Sequence, residues 1–353
     1  MKYLKFLLIP ILAYGLYVAA VLAYGTINDF KPQEVTKLST ENNRTESVAD
    51  SAHLSFMIWN IGYSGLGDKS DFFLDGGKMV RPSKAIHQEY FNGIKKTIAE
   101  HSNTDFILLQ EVDVNSKRSY ETNEYQGIAD ELADNYSNAI ALNFNVKYVP
   151  KPLVSFSPIG KVKSGVATYS KYKVTETTRF QFPGSYDWPV RVFHLDRCML
   201  ESRIPVANGK ELIVINSHNS AYDGGKLKPL EMEYLRNHLL AEYEKGNYVI
   251  VGADWNQCPP NFNYATFAAG SADDYYQDNI AEDFMPEGWL WAYDTTTPTN
   301  RKLATPYIKG ETFTTLIDFY LVSPNVKIEE VKGVNIDFKY SDHQPVLLNV
   351  QLQ

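Results

Sequence analysis

The clearest pattern along the chain is a series of short apolar runs that are joined to polar side chains. The runs at residues 56–59, 106–109, 212–215 and 248–251 each lead into polar residues, the run at 316–321 contains Asp318, and the run at 346–352 directly follows a polar stretch. Nearly continuous apolar runs of this length are typical of strands buried inside a sheet. We therefore predict a strand at each run, with polar side chains gathered where the strands begin or end.

Between these runs the spacing of apolar residues changes to that of a helix. Residues 82–101 and 226–245 each carry one apolar stripe, formed by Ile86, Tyr90, Ile94 and Ile98 in the first and by Leu230, Tyr234, Leu235 and Leu239 in the second. Such stripes indicate amphipathic helices that pack on a sheet face. Because each helix precedes a strand, we predict two sheets packed face to face with helices on the outer faces.

The amino terminus has a different composition from the rest. Lys2 and Lys5 precede an apolar run over residues 6–24, so residues 1–25 are predicted to be a signal peptide or a signal-anchor helix. In both cases the remainder lies outside the cytoplasm. Residues 26–53 are polar and mixed in charge without apolar periodicity, which predicts a flexible tether. The folded domain is then expected over residues 54–353.

Composition limits the class of protein. The chain has 353 residues, 44% of them hydrophobic, so it is long enough for one large domain with a sizeable core. A net charge of −8 gives no general attraction to polyanions such as DNA. Cys198 and Cys258 are too few for a disulfide scaffold, and the sequence leaves open whether they pair. We expect a monomer.

Several polar residues at the predicted strand ends have chemistry in common. Asp342 and His343 place a carboxylate and a proton acceptor directly before the last strand. Glu111 ends an almost wholly apolar strand, where a charge is costly without a counter-ion, so we interpret it as a metal ligand rather than a salt-bridged residue. Asp254 and Asn256 are two residues apart and face the same side of an extended backbone. Together they predict a metal site with an acid–base group.

Other polar residues allow two interpretations from the sequence alone. Asn60 is a cation or phosphate ligand or a turn residue, and His218 is a functional or a structural histidine. Asp113 is a candidate to orient the metal ligand Glu111 without binding the metal itself. Arg191 and Arg197 can clamp a phosphate, although surface ion pairing is the common role of such residues.

The order of these residues along the chain resembles the endonuclease/exonuclease/phosphatase superfamily. Its members include DNase I-like nucleases, neutral sphingomyelinases and inositol polyphosphate phosphatases. The resemblance runs from about residue 54 to residue 352 and rests on several ordered motifs, ending in the sequence Ser-Asp-His at residues 341–343. It implies an α/β four-layer sandwich of two mixed β-sheets and a metal-dependent phosphoester hydrolase.

The resemblance also implies a role for each matching residue. Glu111 binds Mg²⁺ with Asn60 and Asp342 nearby, Asp254 orients or activates water, Asn256 and His218 stabilise the pentacovalent state, and His343 is the base whose tautomer Asp318 fixes. Oxygen and amide ligands without a zinc-like cluster favour Mg²⁺, with Mn²⁺ as the alternative. Gly62 departs from the pattern, because some nucleases of the superfamily carry a second acidic residue there.

The substrate is predicted from the amino terminus and from one unusual loop. Residues 259–311 are irregular and aromatic-rich, containing Trp289, Trp291, Tyr275, Tyr276 and Tyr293, so we assign them to substrate recognition, with an aromatic cap over the sheet edge as the alternative. We expect an extracytoplasmic hydrolase of phospholipids or phosphorylated head groups. A secreted or membrane-anchored DNase I-like nuclease acting on nucleic acid is the alternative, followed by a non-catalytic binding module.

Overall fold

The computed structural model describes residues 2–152, 157–221, 223–267 and 278–353. The helices are α1 (Lys2–Ile27), α2 (Lys84–Glu100), α3 (Glu124–Leu132) and α4 (Lys228–Glu244). The strands are β1 (Val35–Leu38), β2 (His53–Asn60), β3 (Phe106–Asp113), β4 (Ser137–Val149), β5 (Gly160–Ser170), β6 (Glu176–Gln181), β7 (Cys198–Pro205), β8 (Glu211–His218), β9 (Tyr248–Asp254), β10 (Leu290–Ala292), β11 (Asn300–Arg301), β12 (Thr314–Thr315), β13 (Asp318–Val322), β14 (Val326–Gly333) and β15 (Val346–Leu352).

Two mixed sheets form the centre of the domain. A seven-stranded sheet has the order β1-β6-β7-β8-β9-β13-β10, and a six-stranded sheet has the order β14-β15-β2-β3-β5-β4. Within them β2 runs parallel to β3 and β8 runs parallel to β9, while the other neighbours are antiparallel. The predicted α/β fold of two packed sheets is confirmed.

Apolar side chains of both sheets meet in one shared core. Phe56 and Ile58 of the six-stranded sheet belong to the same buried cluster as Val214 and Ile250 of the seven-stranded sheet. The sheets approach so closely at Gly252 that a Cβ atom there would collide with Ile58. Glycine is therefore needed at this position for the two sheets to pack.

Helices cover the outer face of each sheet. Ile94 and Ile98 of α2 pack with Ile128 of α3 on the six-stranded sheet. On the other side, Leu235 and Leu239 of α4 pack on the seven-stranded sheet. The order helix, sheet, sheet, helix is the predicted four-layer sandwich, and it leaves the strand ends free to carry a site.

The segment predicted to be a flexible tether is largely part of the fold. β1 pairs with the edge strand β6 in register Val35 to Phe180, and Glu41 bridges to Asn138. Val48 is fully buried in the shared core and its N–H donates to the carbonyl of Pro205 at 3.0 Å. The tether prediction is wrong for residues 35–48, because backbone hydrogen bonds to an open sheet edge need no apolar periodicity.

Helix α1 precedes this packed segment. In the described part of the chain one helical window, Ile9–Ile27, is long and apolar enough to cross a membrane, and a signal sequence has the same properties. The helix also contacts the domain: the hydroxyls of Tyr17 and Tyr148 lie 3.1 Å apart, and Nε1 of Trp188 donates to Oγ1 of Thr26 at 3.1 Å.

The aromatic residues of the long loop mostly pack inward. Trp289 is only 8% exposed, and the ring of Trp291 lies 5.3 Å from that of Trp255 and 5.5 Å from that of Phe319. These tryptophans form the aromatic cap named as the alternative, so the assignment to substrate recognition is wrong for them. Tyr275 and Tyr276 lie outside the described residues.

The two cysteines do not pair. Cys198 and Cys258 are both buried and both are free thiols. The sequence had left this question open.

Candidate active site

The polar ends of five strands meet at one edge of the sandwich. The parallel register brings Asn60 beside Gln110 in one sheet and His218 beside Asp254 in the other. Antiparallel pairing then places Asp318 directly opposite Asp254. β15 runs antiparallel to β2 and its first residue pairs with Ile58, so the loop before β15 reaches the same edge. The strand topology therefore gathers residues that are far apart in sequence.

His343 and Asp318 form a buried hydrogen-bonded pair. Nδ1 of His343 lies 2.8 Å from Oδ2 of Asp318, and both side chains are almost fully buried. The backbone around the histidine is fixed as well, since Nε1 of Trp59 donates to its carbonyl at 3.0 Å and its N–H donates to Oγ of Ser341 at 3.2 Å. This geometry holds the imidazole with Nδ1 toward the carboxylate of Asp318. Nε2 is turned toward the space that it shares with Asp254, which we call the cleft.

Asp254 is the residue around which the other predicted groups are arranged. Its Oδ2 accepts from Nδ2 of Asn60 at 2.9 Å and lies 3.4 Å from Nε2 of His218 and 3.8 Å from Nε2 of His343. Its Oδ1 accepts from the backbone N–H of Asn256 at 3.0 Å. Four of the predicted site residues are thus in direct contact with, or within 4 Å of, this one carboxylate.

Burial shifts the pKa of His343, Asp318 and His218, and among these three only His343 has neighbouring charges that reverse the effect of burial. For His343, burial acts against the charged form, but the carboxylates of Asp318, Asp342 and Asp254 outweigh it and raise the pKa to about 10. Burial raises the pKa of Asp318 to about 6. For His218, burial and then the positive charge of Arg197 lower the pKa well below its usual range. At neutral pH the metal-free site therefore contains a charged His343 and a neutral His218.

The pKa of Asp254 shifts in the opposite direction to that of Asp318. Burial again opposes ionisation, but His218, His343 and the hydrogen bond from Asn60 outweigh it and lower the pKa. Two carboxylates on adjacent strands thus have different proton affinities, which is a common sign of divided roles in a site.

Glu111 and Asp342 are a second pair of carboxylates at this edge, and Oδ2 of Asp342 lies 3.9 Å from Nε2 of His343. A β-bulge between Leu109 and Val112 and a φ of +54° at Glu111 turn its side chain outward, leaving it 25% exposed. Burial raises the pKa of Asp342 to about 7, and the nearby negative charge of Glu111 adds to the shift. Each carboxylate has a cationic neighbour, Arg118 at 4.0 Å from Glu111 and His343 at 3.9 Å from Asp342, yet the two carboxylates repel one another. A divalent cation bound by both would relieve that repulsion.

Gly62 explains its own departure from the family pattern. Its φ is +51°, and a Cβ atom there would lie 2.8 Å from Oδ1 of Asp342. Its N–H donates to Oδ1 of Asn60 at 3.0 Å. A side chain at this position would occupy the space beside Asp342, and the glycine leaves that space open. Carboxylate and amide oxygens, as the predicted ligands Glu111, Asn60 and Asp342 offer, are the donor types that suit a hard metal ion.

A second arrangement of possible ligand atoms overlaps this one. One ligand atom each of Asp254, Asp318 and His343 lies within 4.8 Å of the others. Because Nδ1 of His343 is already hydrogen-bonded to Asp318, this group is better described as a proton-transfer pair with a neighbouring carboxylate. The carboxylates of Glu111 and Asp342, in contrast, are not joined to one another by a hydrogen bond.

Polar residues that the sequence analysis did not select also line or support the site. Nδ2 of Asn300 is 3.0 Å from Nε2 of His343. Nε2 of Gln110 donates to Oδ1 of Asn216 at 2.7 Å, which links the two sheets beneath the site. Arg118 lies 4.0 Å from Glu111 and is bound by Asp113, so the described contact of Asp113 is with Arg118 and its support of Glu111 stays a prediction. Arg118 and Asn300 lie outside the apolar runs, so no periodic signal marked them.

The two arginines considered as phosphate clamps differ from one another. Arg191 forms a surface ion pair with Asp29 at 3.4 Å. Arg197 is 9% exposed, and its Nη1 donates to the carbonyl of His218 at 3.4 Å. Of these two arginines, Arg191 alone forms a surface ion pair within the described part of the chain.

Comparison with known proteins agrees with this architecture. The model of the Endonuclease/Exonuclease/phosphatase family matches residues 57–343, which is more than half of the chain, and the protein belongs to this family. The family is metal-dependent, its members hydrolyse phosphate esters, and the protein is a phosphoesterase of this superfamily. No curated protein matches the chain.

Solved structures share the fold at low sequence identity. An endonuclease/exonuclease/phosphatase from Beutenbergia cavernae DSM 12333 is 15% identical with a TM-score of 0.55, over 85% of this chain and 72% of its own. ANGEL2, described as a 2',3'-cyclic phosphatase, is 15% identical with a TM-score of 0.54, over 91% and 99%. D. rerio TDP2 complexed with single strand DNA product is 14% identical with a TM-score of 0.50, over 85% and 99%. At these identities the likeness concerns the fold alone.

Proposed function

We propose that this phosphoesterase is Mg²⁺-dependent and acts outside the cytoplasm on phospholipids or phosphorylated head groups. The observation that carries the proposal is the burial of His343 and Asp318 beside Asp254, with Asp342 3.9 Å from His343 and Glu111 close enough to raise the pKa of Asp342. Burying several charges costs free energy, and a hydrophobic replacement is often more stable. Such a set is favoured where it performs chemistry.

Each side chain has a part in hydrolysis of a phosphate ester. His343 takes the proton of the attacking water through Nε2, while Asp318 holds Nδ1–H and so fixes the tautomer. Asp254 orients that water, and Asn256 and His218 donate to the phosphoryl oxygens as negative charge develops on them. Nδ2 of Asn300 lies 3.0 Å from Nε2 of His343, so its amide must move away from the Nε2 lone pair when that atom takes the proton.

Glu111, Asn60 and Asp342 would hold the metal ion, with Mn²⁺ as the alternative to Mg²⁺. When bound, a divalent cation supplies positive charge that neutralises these carboxylates and the phosphoryl oxygens. The pKa of His343 then loses the contribution of Asp342, which is one of the charges that raise it to about 10. A histidine with a pKa closer to neutrality is a better base at pH 7.

The short connection between α1 and the packed domain supports the choice of substrate. α1 ends at Ile27 and β1 begins at Val35, so only a few residues separate an apolar helix from the packed domain. A fully extended residue spans at most about 3.6 Å, so this connection holds the domain close to the end of the helix. If the helix anchors the chain, lipid head groups are the phosphate esters nearest to the site.

Nucleic acid is the second candidate substrate. The structurally similar TDP2 was solved with a single strand DNA product, and this is the observation that favours it. The net charge of −8 offers no general attraction to DNA, which weighs against it.

A substrate comparison tests the proposal. The full-length chain in detergent would be given phospholipid in mixed micelles, a soluble phosphorylated head group and plasmid DNA at equal phosphate concentration, in Mg²⁺ and low salt. We expect faster release from the lipid or head group than nicking of the plasmid. Efficient plasmid degradation without release from the other two substrates would make the protein a nuclease instead.

A further inference from the structure

Arg118 is a buried arginine at the cleft that has no part in the roles given above. It is 9% exposed, and its Nη1 lies 4.0 Å from Oε2 of Glu111. A buried guanidinium is costly unless it is paired. Asp113 pairs with it through two hydrogen bonds, from Nε at 3.1 Å and from Nη2 at 2.9 Å. Asp113 thus occupies one edge of the guanidinium and leaves Nη1 on the other.

The guanidinium is held in one orientation by groups on three sides. Asp113 is fully buried, and its own N–H donates to Oε2 of Glu124 at 2.9 Å. The guanidinium carbon lies 3.7 Å from the ring centroid of Tyr63, which is a cation–π contact. Nη2 also lies 3.4 Å from Oγ of Ser164. A side chain locked in this way loses little entropy when it binds a ligand.

The remaining nitrogen, Nη1, lies on the side of Glu111 and is not committed to a hydrogen bond among the described residues. Glu111 at 4.0 Å is beyond hydrogen-bond distance, and no other described residue accepts a hydrogen bond from Nη1. The positive charge of Arg118 also contributes to the lowered pKa of His218. A fixed N–H donor 4.0 Å from Glu111, the proposed metal ligand, fits an anionic oxygen.

We propose that Arg118 binds a non-bridging oxygen of the scissile phosphate through Nη1, with Asp113 and Tyr63 as positioning residues. This proposal rests on the proposed function, because it places the phosphate at the cleft between Glu111 and His218. Guanidinium groups bind phosphate oxygens through directed N–H donors, and negative charge develops on those oxygens in the transition state. The alternative is a purely structural role, in which Arg118 only neutralises Asp113 and Glu111.

Variants can separate the two roles. Arg118→Met alone would leave Asp113 buried and unpaired, so it is made in an Asp113→Asn background, with Asp113→Asn alone as its reference. Arg118→Lys keeps the positive charge but loses the planar guanidinium with its several directed N–H donors. The matched control is Arg203→Met, because Arg203 is also ion-paired to buried carboxylates, Glu201 at 2.9 Å and Glu242 at 2.6 Å, toward the opposite end of β7.

Two measurements on the full-length chain are needed. The first is hydrolysis of bis(p-nitrophenyl) phosphate, separated into kcat and KM, and the second is calorimetric affinity for inorganic phosphate in saturating Mg²⁺. Relative to Asp113→Asn, we expect loss of Arg118 to lower kcat about 10²-fold, as removal of one transition-state donor does. Phosphate affinity should fall about tenfold or more, and the lysine should recover part of both. Arg203→Met should lower the melting temperature but should change neither kcat nor the affinity for phosphate.

The outcomes distinguish this proposal from the proposed function. If the parent protein hydrolyses the ester and the loss of Arg118 changes neither turnover nor phosphate affinity, the proposal is overturned. If the parent protein is inactive on this ester and on the lipid and head-group substrates but binds phosphate in an Arg118-dependent way, the proposed function fails and the anion site stands. If it hydrolyses none of these substrates and does not bind phosphate, both are overturned.

Discussion

Asp254 and Asp318 lie directly opposite one another on the antiparallel strands β9 and β13, and both carboxylates approach the imidazole of His343. Asp318 is 2.8 Å from Nδ1, and Asp254 is 3.8 Å from Nε2. One carboxylate therefore orients the histidine from behind, while the other shares the cleft with its reactive nitrogen. This difference in position predicts different consequences of removing each group.

The first prediction concerns the histidine pair. His343→Ala should lower kcat by roughly 10²–10⁴, because the base is lost, and Asp318→Asn should be nearly as harmful, because the tautomer is no longer fixed. Turnover would be measured on folded variants, checked by circular dichroism. His53→Ala is the matched control, since His53 forms an exposed pair with Glu329 at 2.9 Å. Turnover equal to that of the parent in folded His343→Ala would exclude it as the base.

The second prediction concerns the metal. Chelation should abolish activity, and Glu111→Gln should weaken Mg²⁺ affinity, because a hard cation binds a carboxylate better than an amide. Titration of activity with Mg²⁺ and direct Mn²⁺ binding by electron paramagnetic resonance would measure both effects. Glu89→Gln, which removes a surface ion pair with Lys69 at 2.6 Å, should leave the affinity unchanged. Activity in chelator that responds only to added zinc would contradict the assignment.

The sequence predicted the parts of this molecule that depend on burial. Apolar runs identified the strands, and their polar ends identified Asp254 and His343, because strand ends on one edge of a sheet come together. Residues that act from outside this pattern were not identifiable. Arg118 lies on a single short turn of Lys117–Ser119, and Asn300 on a two-residue strand, so neither has a periodic neighbourhood.

The same reasoning explains the errors. Residues 35–48 look unstructured because they are polar. The backbone of residues 35–38 nevertheless pairs with β6, and the side chain of Val48 is buried in the core. Backbone hydrogen bonds leave no mark in side-chain composition. Trp291 looks like a binding surface in sequence, but composition does not distinguish an aromatic side chain that stacks on a ligand from one that packs on Phe319.

The third prediction is a pH dependence of stability in the metal-free protein. The folded pKa is raised to about 10 for His343 and to about 7 for Asp342. The unfolded values are about 6.5 and about 3.9, so the folded state binds both protons more tightly. Their contribution to the free energy of unfolding is complete below the unfolded pKa and is lost as pH rises through the folded pKa. The windows are thus roughly pH 4 to 7 for Asp342 and 6.5 to 10 for His343.

Melting temperatures in chelator between pH 5 and pH 10 would measure this effect. We expect a decline above pH 7 that is smaller in His343→Gln, because that variant has no imidazolium to lose. Glu242 does not interfere, since its pKa is lowered to about 2 and its contribution is lost only under acid conditions. Added Mg²⁺ should raise the melting temperature most at the higher pH, where Asp342 is ionised. An unchanged melting temperature across this range in both proteins would contradict the prediction.

The last prediction concerns the segment between α1 and β2. Val48 is fully buried, and β1 covers the edge of the seven-stranded sheet through its pairing with β6. A protein that begins at residue 50 would lose both, exposing a strand edge and leaving a gap in the shared core. One that begins at residue 28 keeps them. We therefore expect the shorter protein to melt at a lower temperature and to aggregate more readily.

Single substitutions separate the two contributions of that segment. Val48→Ala should destabilise the protein by about 1–3 kcal/mol, the usual cost of shortening a buried aliphatic side chain. Thr36→Pro should weaken the pairing of β1 with β6, since proline cannot donate a hydrogen bond to the neighbouring strand. Val35→Ala is the matched control, because Val35 is 51% exposed and contributes little to the core. Denaturant unfolding of each variant, made in the protein that spans residues 28–353, would measure the changes in the free energy of unfolding. Equal stability of the proteins that begin at residues 28 and 50 would contradict the prediction and mean that the segment behaves as a tether.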